Sequence, residues 1–120
     1  CIRDRVDLTV LYPTLLEVCG MPRDRSCDGV SVLPLLRGNQ ENWERPALMT
    51  YKKGNHALRT ERWRYIRYAD GTEELYDHDV DPHEWDNIAQ KPEYSGLING
   101  YKKWIPEVEK DQVPNLKRKK

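Results

Sequence analysis

The sequence has no phenylalanine, only three cysteines and no excess of either charge. Twenty Lys and Arg residues balance twenty Asp and Glu residues, so the net charge predicts neither a nucleic-acid nor a membrane partner. No apolar run approaches the roughly 20 residues that would span a bilayer. The length of 120 residues suits one ordinary domain. Its core must be small and must use the rings of seven tyrosines and four tryptophans.

The three cysteines are Cys1, Cys19 and Cys27, and no CxxC spacing occurs, which argues against a zinc site. We expect free, partly buried thiols, with a Cys19–Cys27 bridge as the alternative in an oxidising compartment. The opening residues, CIRDRVDLTV, are typical of the interior of a longer protein, so we expect a fragment.

The first 38 residues predict helices. Apolar residues recur there at helical spacing, Asp7 or Thr9 suits the N-cap, and Gly20 suits the end of the helix. Ser31 can cap a second, shorter helix. The predicted elements are a lead-in strand or extended segment over 1–7, a helix over about 10–19 and a short helix over 32–36.

The middle of the chain changes to the period of strands, with turns between them. Trp63 and Tyr65 are expected in the core rather than on a sugar-stacking platform, and Arg59 and Arg64 in structural ion pairs. Residues 92–105 return to helical period. The predicted strands are 47–51, 56–60, 63–69 and 73–77. The fold class is therefore α+β: a small antiparallel sheet of three to four strands packed with a C-terminal helix.

The segment 73–89 concentrates acidic residues and histidines, and two interpretations compete. The alternation of Asp77, Asp79 and Asp81 imitates the start of an EF-hand loop, but Pro82 stands where that loop needs glycine. The competing interpretation is a helix over 82–88 that begins with Asp81 as N-cap and Glu84 completing a capping box. The spacing of Asp81 and Glu84 in the sequence fits a capping box, so we predict this helix.

Several motifs in fixed order carry a family resemblance: YPTLLEVCGMP, DGVSVLPLLRG and ALRTERWRYIRYADGTEELYDHDVDPHEWDNIA. Together they resemble the C-terminal part of type I sulfatases, in particular bacterial iduronate-2-sulfatase-like proteins, over about residues 5–105. Position 10 departs from the pattern, because this sequence has Val10 where relatives often have Asp. The resemblance implies helices that belong to an alkaline-phosphatase-like sulfatase fold, followed by the antiparallel subdomain.

The resemblance also implies sulfate ester hydrolysis by a formylglycine with a bound calcium. The family's nucleophile lies in a Cys/Ser-x-Pro/Ala-x-Arg motif near its N-terminus. The runs that begin at Cys1 and Cys19 carry Arg3 and Met21 at the Pro/Ala position, so neither matches. We therefore expect no catalytic residue and no metal ligand in this chain, and an isolated chain without activity. The expected partner is an upstream catalytic domain.

The best candidate for contact with a sulfated glycan is the cationic loop, residues 52–56, because sulfated sugars are polyanions. Its donors are Lys52, Lys53, Asn55 and His56, and a solvated hairpin loop is the alternative. Two rival functions remain: a module that binds anionic polymers through 51–67 and the tail, and a purely structural subdomain. Family resemblance further implies export, for example to the periplasm. The expected division is 1–38 as the end of the sulfatase core, 39–106 as the C-terminal subdomain and 107–120 as a mobile basic tail.

Overall fold

A computed structural model describes residues 5–39, 43–109 and 111. The chain begins with a 3-10 turn at Leu8–Val10 that continues into helix α1, Leu11–Val18, and a short helix α2, Leu33–Leu36, follows. Asp7 caps the first turn by accepting a hydrogen bond from the Thr9 N–H, as predicted. The lead-in strand predicted over 1–7 is absent from residues 5–7, and residues 1–4 lie outside the described part.

Thr14 joins the two N-terminal helices. Its hydroxyl donates to the Val10 carbonyl at 2.6 Å and accepts from the Val32 N–H at 3.0 Å. Ser31 accepts from the Leu33 N–H at 3.1 Å, but the N-cap position of α2 is Val32, so the predicted Ser31 cap lies one residue too early. The side of α1 that carries Thr14 and Leu16 is therefore buried, whereas much of the rest of the helix is exposed.

The sheet is antiparallel and has four strands in the order β1-β2-β3-β4, a simple meander. The strands are β1, Ala47–Thr50; β2, His56–Arg59; β3, Trp63–Arg67; and β4, Glu73–Asp77. In register, Leu58 faces Tyr65 and Tyr65 faces Leu75, and all three are fully buried. This row is the centre of the core. The predicted fold class, an antiparallel sheet with helices, is confirmed.

A C-terminal helix covers one face of the sheet, as predicted. A 3-10 turn at Pro92–Tyr94 leads into α3, Ser95–Lys102, so the helix is shorter than the predicted 92–105. Ile98, Tyr101 and Ile105 complete the core, and the Tyr101 ring stacks on Tyr65 at a centroid distance of 5.9 Å. Trp63 packs against this core, so the expected core role of Trp63 and Tyr65 is confirmed.

The helix predicted over 82–88 is wrong, because residues 78–91 form turns and irregular backbone. Glu84 has a φ of +59°, which no α-helix contains. Its carboxylate does not return to Asp81 as a capping box requires. Instead it binds Arg64 at 2.7 Å and His78 at 2.8 Å, across the neighbouring strand. A tertiary ion pair has replaced the local cap.

Candidate functional site

The cationic loop joins β1 to β2 at one end of the sheet. The Tyr51 N–H donates to the Asn55 carbonyl at 3.0 Å and closes the loop. Lys52 and Gly54 both have left-handed backbone, with φ of +59° and +81°. A Cβ added at position 54 would lie 2.8 Å from the Ala69 Cβ, so both conformation and space require glycine there.

Asn55 fixes the loop from inside. Its Oδ1 accepts from the Ala69 N–H at 3.3 Å, and its Nδ2 donates to the Lys53 carbonyl at 3.1 Å. The side chain therefore links the cationic loop to the turn between β3 and β4. Both ends of the amide already have a protein partner, which suits a positioning role.

His56 is the first residue of β2 and is only 3% exposed. Its Nε2 lies 3.2 Å from Glu109 Oε1, and its Nδ1 lies 3.0 Å from Thr50 Oγ1. A carboxylate only accepts, so Nε2 carries a proton and donates to Glu109, and in the neutral ring Nδ1 accepts from the threonine hydroxyl. The hydrogen bond from His56 holds the pKa of Glu109 below its usual value.

The two lysines of the loop point outward. Lys53 Nζ lies 2.7 Å from Asp111 Oδ1, but the side chains are 56% and 86% exposed. An ion pair in such an exposed place contributes little and exchanges readily with other anions. Lys52 is exposed, and its ammonium lies 5.4 Å from the centroid of the Tyr51 ring. These two ammonium groups are the part of the loop that can meet an anion.

A surface cleft of about 580 Å³ lies beside the loop and carries both signs of charge. Its lining includes Lys53 and Arg67 together with Glu107 and Glu109. The acidic residues 107, 109 and 111 thus offset part of the positive charge of the loop. The role of Lys52, Lys53, Asn55 and His56 in binding substrate stays a prediction. The two lysines are exposed, whereas the side chains of Asn55 and His56 already bind protein groups.

The acidic alternation begins with the last residue of β4, and its carboxylates accept hydrogen bonds from protein donors. Asp77 is 4% exposed and accepts from Arg62 through both oxygens, Nε at 2.8 Å and Nη2 at 2.6 Å. Asp81 accepts from the Asp86 N–H at 2.9 Å. In the described part of the chain, no group of three or more His, Cys, Asp or Glu residues could hold a metal ion. The calcium that the resemblance implies thus finds no fitting ligand set among these residues.

A charge network connects the ends of β2, β3 and β4. Arg59 Nη2 lies 2.8 Å from His78 Nδ1, and His78 Nε2 lies 2.8 Å from Glu84 Oε1, which also binds Arg64. Arginine can only donate, so His78 accepts at Nδ1 and donates at Nε2. The expected ion pair of Arg64 is confirmed, whereas the hydrogen bond found for Arg59 is to a histidine ring.

Sequence patterns did not reveal several partners in these arrangements. Glu109 and Asp111 lie more than fifty residues from the groups they bind, and they fall in a stretch without periodicity. Arg62 lies between two predicted strands, and nothing in the local pattern indicates that it binds Asp77. Cys19 and Cys27 are free thiols, as expected, although Cys19 is exposed rather than partly buried.

Residues 2–111 match the family described as "N-sulphoglucosamine sulphohydrolase, C-terminal". The chain belongs to the sulfatase family, in its C-terminal part. It is 37% identical to a sulfatase of Formosa agariphila over 84% of this chain and 20% of that protein. It is 31% identical to a Delta 4,5-hexuronate-2-O-sulfatase of Bacteroides thetaiotaomicron over 73% of this chain and 20% of that protein. A solved 2-O GAG sulfatase superposes with a TM-score of 0.55 and 28% identity, over 78% of this chain and 22% of the other.

These sulfatase relatives are much longer than the chain, which spans about a fifth of the length of the curated proteins it matches. The matched part is therefore a minor share of those relatives. None of the helices that the structure describes is long and apolar enough to cross a membrane.

Proposed function

We propose that this chain is the C-terminal subdomain of an exported sulfatase that hydrolyses sulfate esters of a sulfated glycan, such as an iduronate 2-sulfate. The observation that carries the proposal is the match to a sulfatase C-terminal family over residues 2–111. In this scheme the upstream part of the protein supplies the formylglycine and the calcium. The chain alone is inactive.

The substrate class rests on charge and on the relatives. A hexuronate-2-O-sulfatase and a 2-O GAG sulfatase stand among the similar proteins, and both names refer to anionic sugars. The exposed ammonium groups of Lys52 and Lys53 can meet a sulfate or a uronate, and such charge-assisted hydrogen bonds contribute about 1.5–3 kcal/mol. Asn55 and His56 hold the loop that presents them.

The experiment compares two substrates in the full-length enzyme. Lys52→Ala with Lys53→Ala should lower kcat/KM on a sulfated disaccharide by about 10-fold or more, mainly through KM, because the lysines bind substrate and transition state alike. A small aryl sulfate, which does not reach the loop, should be nearly unaffected. Lys91→Ala, a lysine outside the loop, is the matched control. Equal losses on both substrates would instead indicate damage to folding.

Asp111 provides a second test with the opposite sign. If Lys53 binds the anionic substrate, Asp111 competes with it, and Asp111→Asn should lower KM for the disaccharide. An unchanged KM in both the lysine and the Asp111 variants would leave the loop as a solvated hairpin.

The rival function, a binding module for anionic polymers, makes a different prediction. The isolated chain would then retain sulfated polysaccharides at physiological ionic strength without hydrolysing them. The balance of twenty basic against twenty acidic residues does not favour such a role. Affinity chromatography on an immobilised sulfated glycan, with the double lysine variant as control, separates the two functions. Hydrolysis of an aryl sulfate by the isolated chain would contradict the proposal.

A further inference from the structure

Trp85, in the acidic segment after β4, presents a bare aromatic ring to the solvent. It is 81% exposed, more than any other tryptophan or tyrosine in the described part of the chain. Its indole ring stacks on the imidazole ring of His83, with a centroid distance of 5.0 Å and an angle of 25° between the planes. The stack fixes the orientation of the indole and leaves the opposite face of the ring open, so Trp85 offers a flat apolar platform.

Hydrogen bonds to β4 and within the segment hold the backbone beside this platform. The Asp86 N–H donates to Asp81 Oδ2 at 2.9 Å, which closes the turn that carries the tryptophan. The Ile88 N–H donates to the Leu75 carbonyl at 3.0 Å, and Asn87 Oδ1 accepts from the Leu75 N–H at 3.1 Å. A ligand therefore meets a preformed surface, and little conformational entropy is lost when it binds.

The platform borders a surface cleft of about 650 Å³, the Trp85 cleft, which has the size of a small-molecule site. Val80 and Tyr94 add apolar surface to its lining, and Val80 is 79% exposed. Asp86 and Lys91 also line the cleft, and both are exposed. The cleft thus places a hydrogen-bond acceptor and a hydrogen-bond donor beside an aromatic ring.

The charges of the lining decide which ligand fits the cleft. The carboxylates of Asp81 and Asp86 outnumber the ammonium group of Lys91, so a phosphate or sulfate group is repelled. The core of a protein–protein interface is depleted of charged residues, which does not describe this cleft. A sugar ring combines an apolar C–H face with hydroxyl groups at its edge. It can therefore stack on the indole while the charged side chains bind its hydroxyl groups.

We propose that the Trp85 cleft binds an uncharged sugar ring. The apolar face of the sugar stacks on the indole, Asp86 accepts hydrogen bonds from its hydroxyl groups, and Lys91 donates to them. This site lies past the end of β4, whereas the cationic loop contacts the turn before β4 through Asn55. The inference goes beyond the proposed function, which concerns anionic groups at the cationic loop. It rests on that function only in that such a ring would belong to the same glycan.

Titration of uncharged oligosaccharides into the full-length protein, followed by NMR, tests the proposal. The probes are neoagarotetraose and chitotetraose, and at least one of them should bind. Trp85→Ala should raise its Kd at least about 10-fold, and Trp85→Tyr, which restores an aromatic platform, should stay within about 3-fold of the native value. Because Trp85 is 81% exposed, its replacement should leave the fold intact, and an unchanged Tm checks this.

Tyr51→Ala is the matched control, because Tyr51 is 73% exposed but lies outside the Trp85 cleft. It should leave the Kd of the uncharged probes unchanged. The proposal would be overturned if neither probe binds, or if Trp85→Ala and Tyr51→Ala have equal effects. Tighter, Trp85-dependent binding of a sulfated neocarratetraose would also overturn it, because the cleft would then select an anionic ring.

Oxidative footprinting of the full-length protein without sugar tests whether another protein surface fills the cleft. Trp85 should be oxidised much faster than Trp63, which packs against the core. Protection of Trp85 equal to that of Trp63 would assign the cleft to a protein contact and refute the proposal. Sugar binding is measured without hydrolysis. Absence of sulfatase activity would therefore refute the proposed function, while the result at Trp85 would stand.

Discussion

Removal of the Asp77 carboxylate is the most direct test of how the end of the sheet is held. Asp77 is the last residue of β4, and its carboxylate accepts two hydrogen bonds from Arg62 and one from the Asp79 N–H at 3.1 Å. The Asp77 side chain is 6% exposed, so water cannot replace these donors without opening the structure. Asp77→Ala deletes all three contacts at once.

The expected loss of stability depends on how exposed Asp77 and Arg62 are. Hydrogen bonds to a charged group contribute about 1.5–3 kcal/mol each. The Arg62 side chain is 50% exposed, however, so solvent compensates much of its loss and the contributions do not add fully. We expect Asp77→Ala to lower the free energy of unfolding by about 2–3 kcal/mol. Asp77→Asn keeps one acceptor and should cost about half as much.

The pH dependence supplies a signature that packing alone would not produce. The hydrogen bond from Arg62 holds the pKa of Asp77 below its usual value of about 3.9. A carboxyl group with a lowered pKa stabilises the fold above its unfolded pKa, and this contribution is lost as the pH falls through the folded pKa. The difference in stability between the native protein and Asp77→Asn should therefore be full at neutral pH and shrink below about pH 4.

Urea unfolding followed by tryptophan fluorescence at several pH values measures these differences. Asp79→Ala is the matched control, because Asp79 touches the same arginine at 3.2 Å but is 63% exposed. It should cost less than about 0.5 kcal/mol. The reasoning would be refuted by an Asp77→Ala loss as small as that of the control, or by a loss that does not change between pH 7 and pH 3.

Two further pairs of substitutions test the backbone geometry. Glu84→Ala should lower stability, because it leaves Arg64 and His78 without their acceptor. Glu84→Gly should be no less stable than Glu84→Ala despite glycine's flexibility, since glycine relieves the left-handed φ of +59°. A clearly lower Tm for the Gly variant than for the Ala variant in thermal unfolding would contradict this. Gly54→Ala should be destabilising by more than about 1 kcal/mol, because position 54 has a φ of +81° and no room for a Cβ beside Ala69. Gly71→Ala is the control. Position 71 has a φ of +86° but open space around it, so this variant measures the cost of the backbone angle alone. Equal losses at the two glycines would remove the steric part of the argument.

The strands were predictable because their signals are local. Alternation and turn residues gave 56–60 and 73–77, and the structure has strands at His56–Arg59 and Glu73–Asp77. The face of the C-terminal helix was predictable for the same reason, since apolar residues at helical spacing must cover a sheet of this size. Both features depend on residues within a few positions of each other along the chain.

The helix predicted over 82–88 failed because its local signal was weaker than a tertiary one. An N-cap contributes about 1 kcal/mol. Glu84 instead meets a guanidinium and an imidazole twenty and six positions away along the chain, with two charge-assisted contacts below 3 Å. Such a pair is worth more than a cap when both partners are partly buried. The same acid-rich stretch that suggested a metal site and a helix serves to hold β3 and β4 together.

The cationic loop shows why counting charged residues overstates a binding site. The sequence places two lysines, an asparagine and a histidine within five positions, which predicts four donors. Folding assigns the asparagine to the backbone and the histidine to Thr50 and Glu109, and it sets Asp111 against Lys53. Two ammonium groups remain for an anionic sugar. That of Lys52 is available directly, and that of Lys53 must first release the Asp111 carboxylate. Because that carboxylate is 86% exposed, the exchange costs little, and the loop can offer both charges to a substrate that carries two.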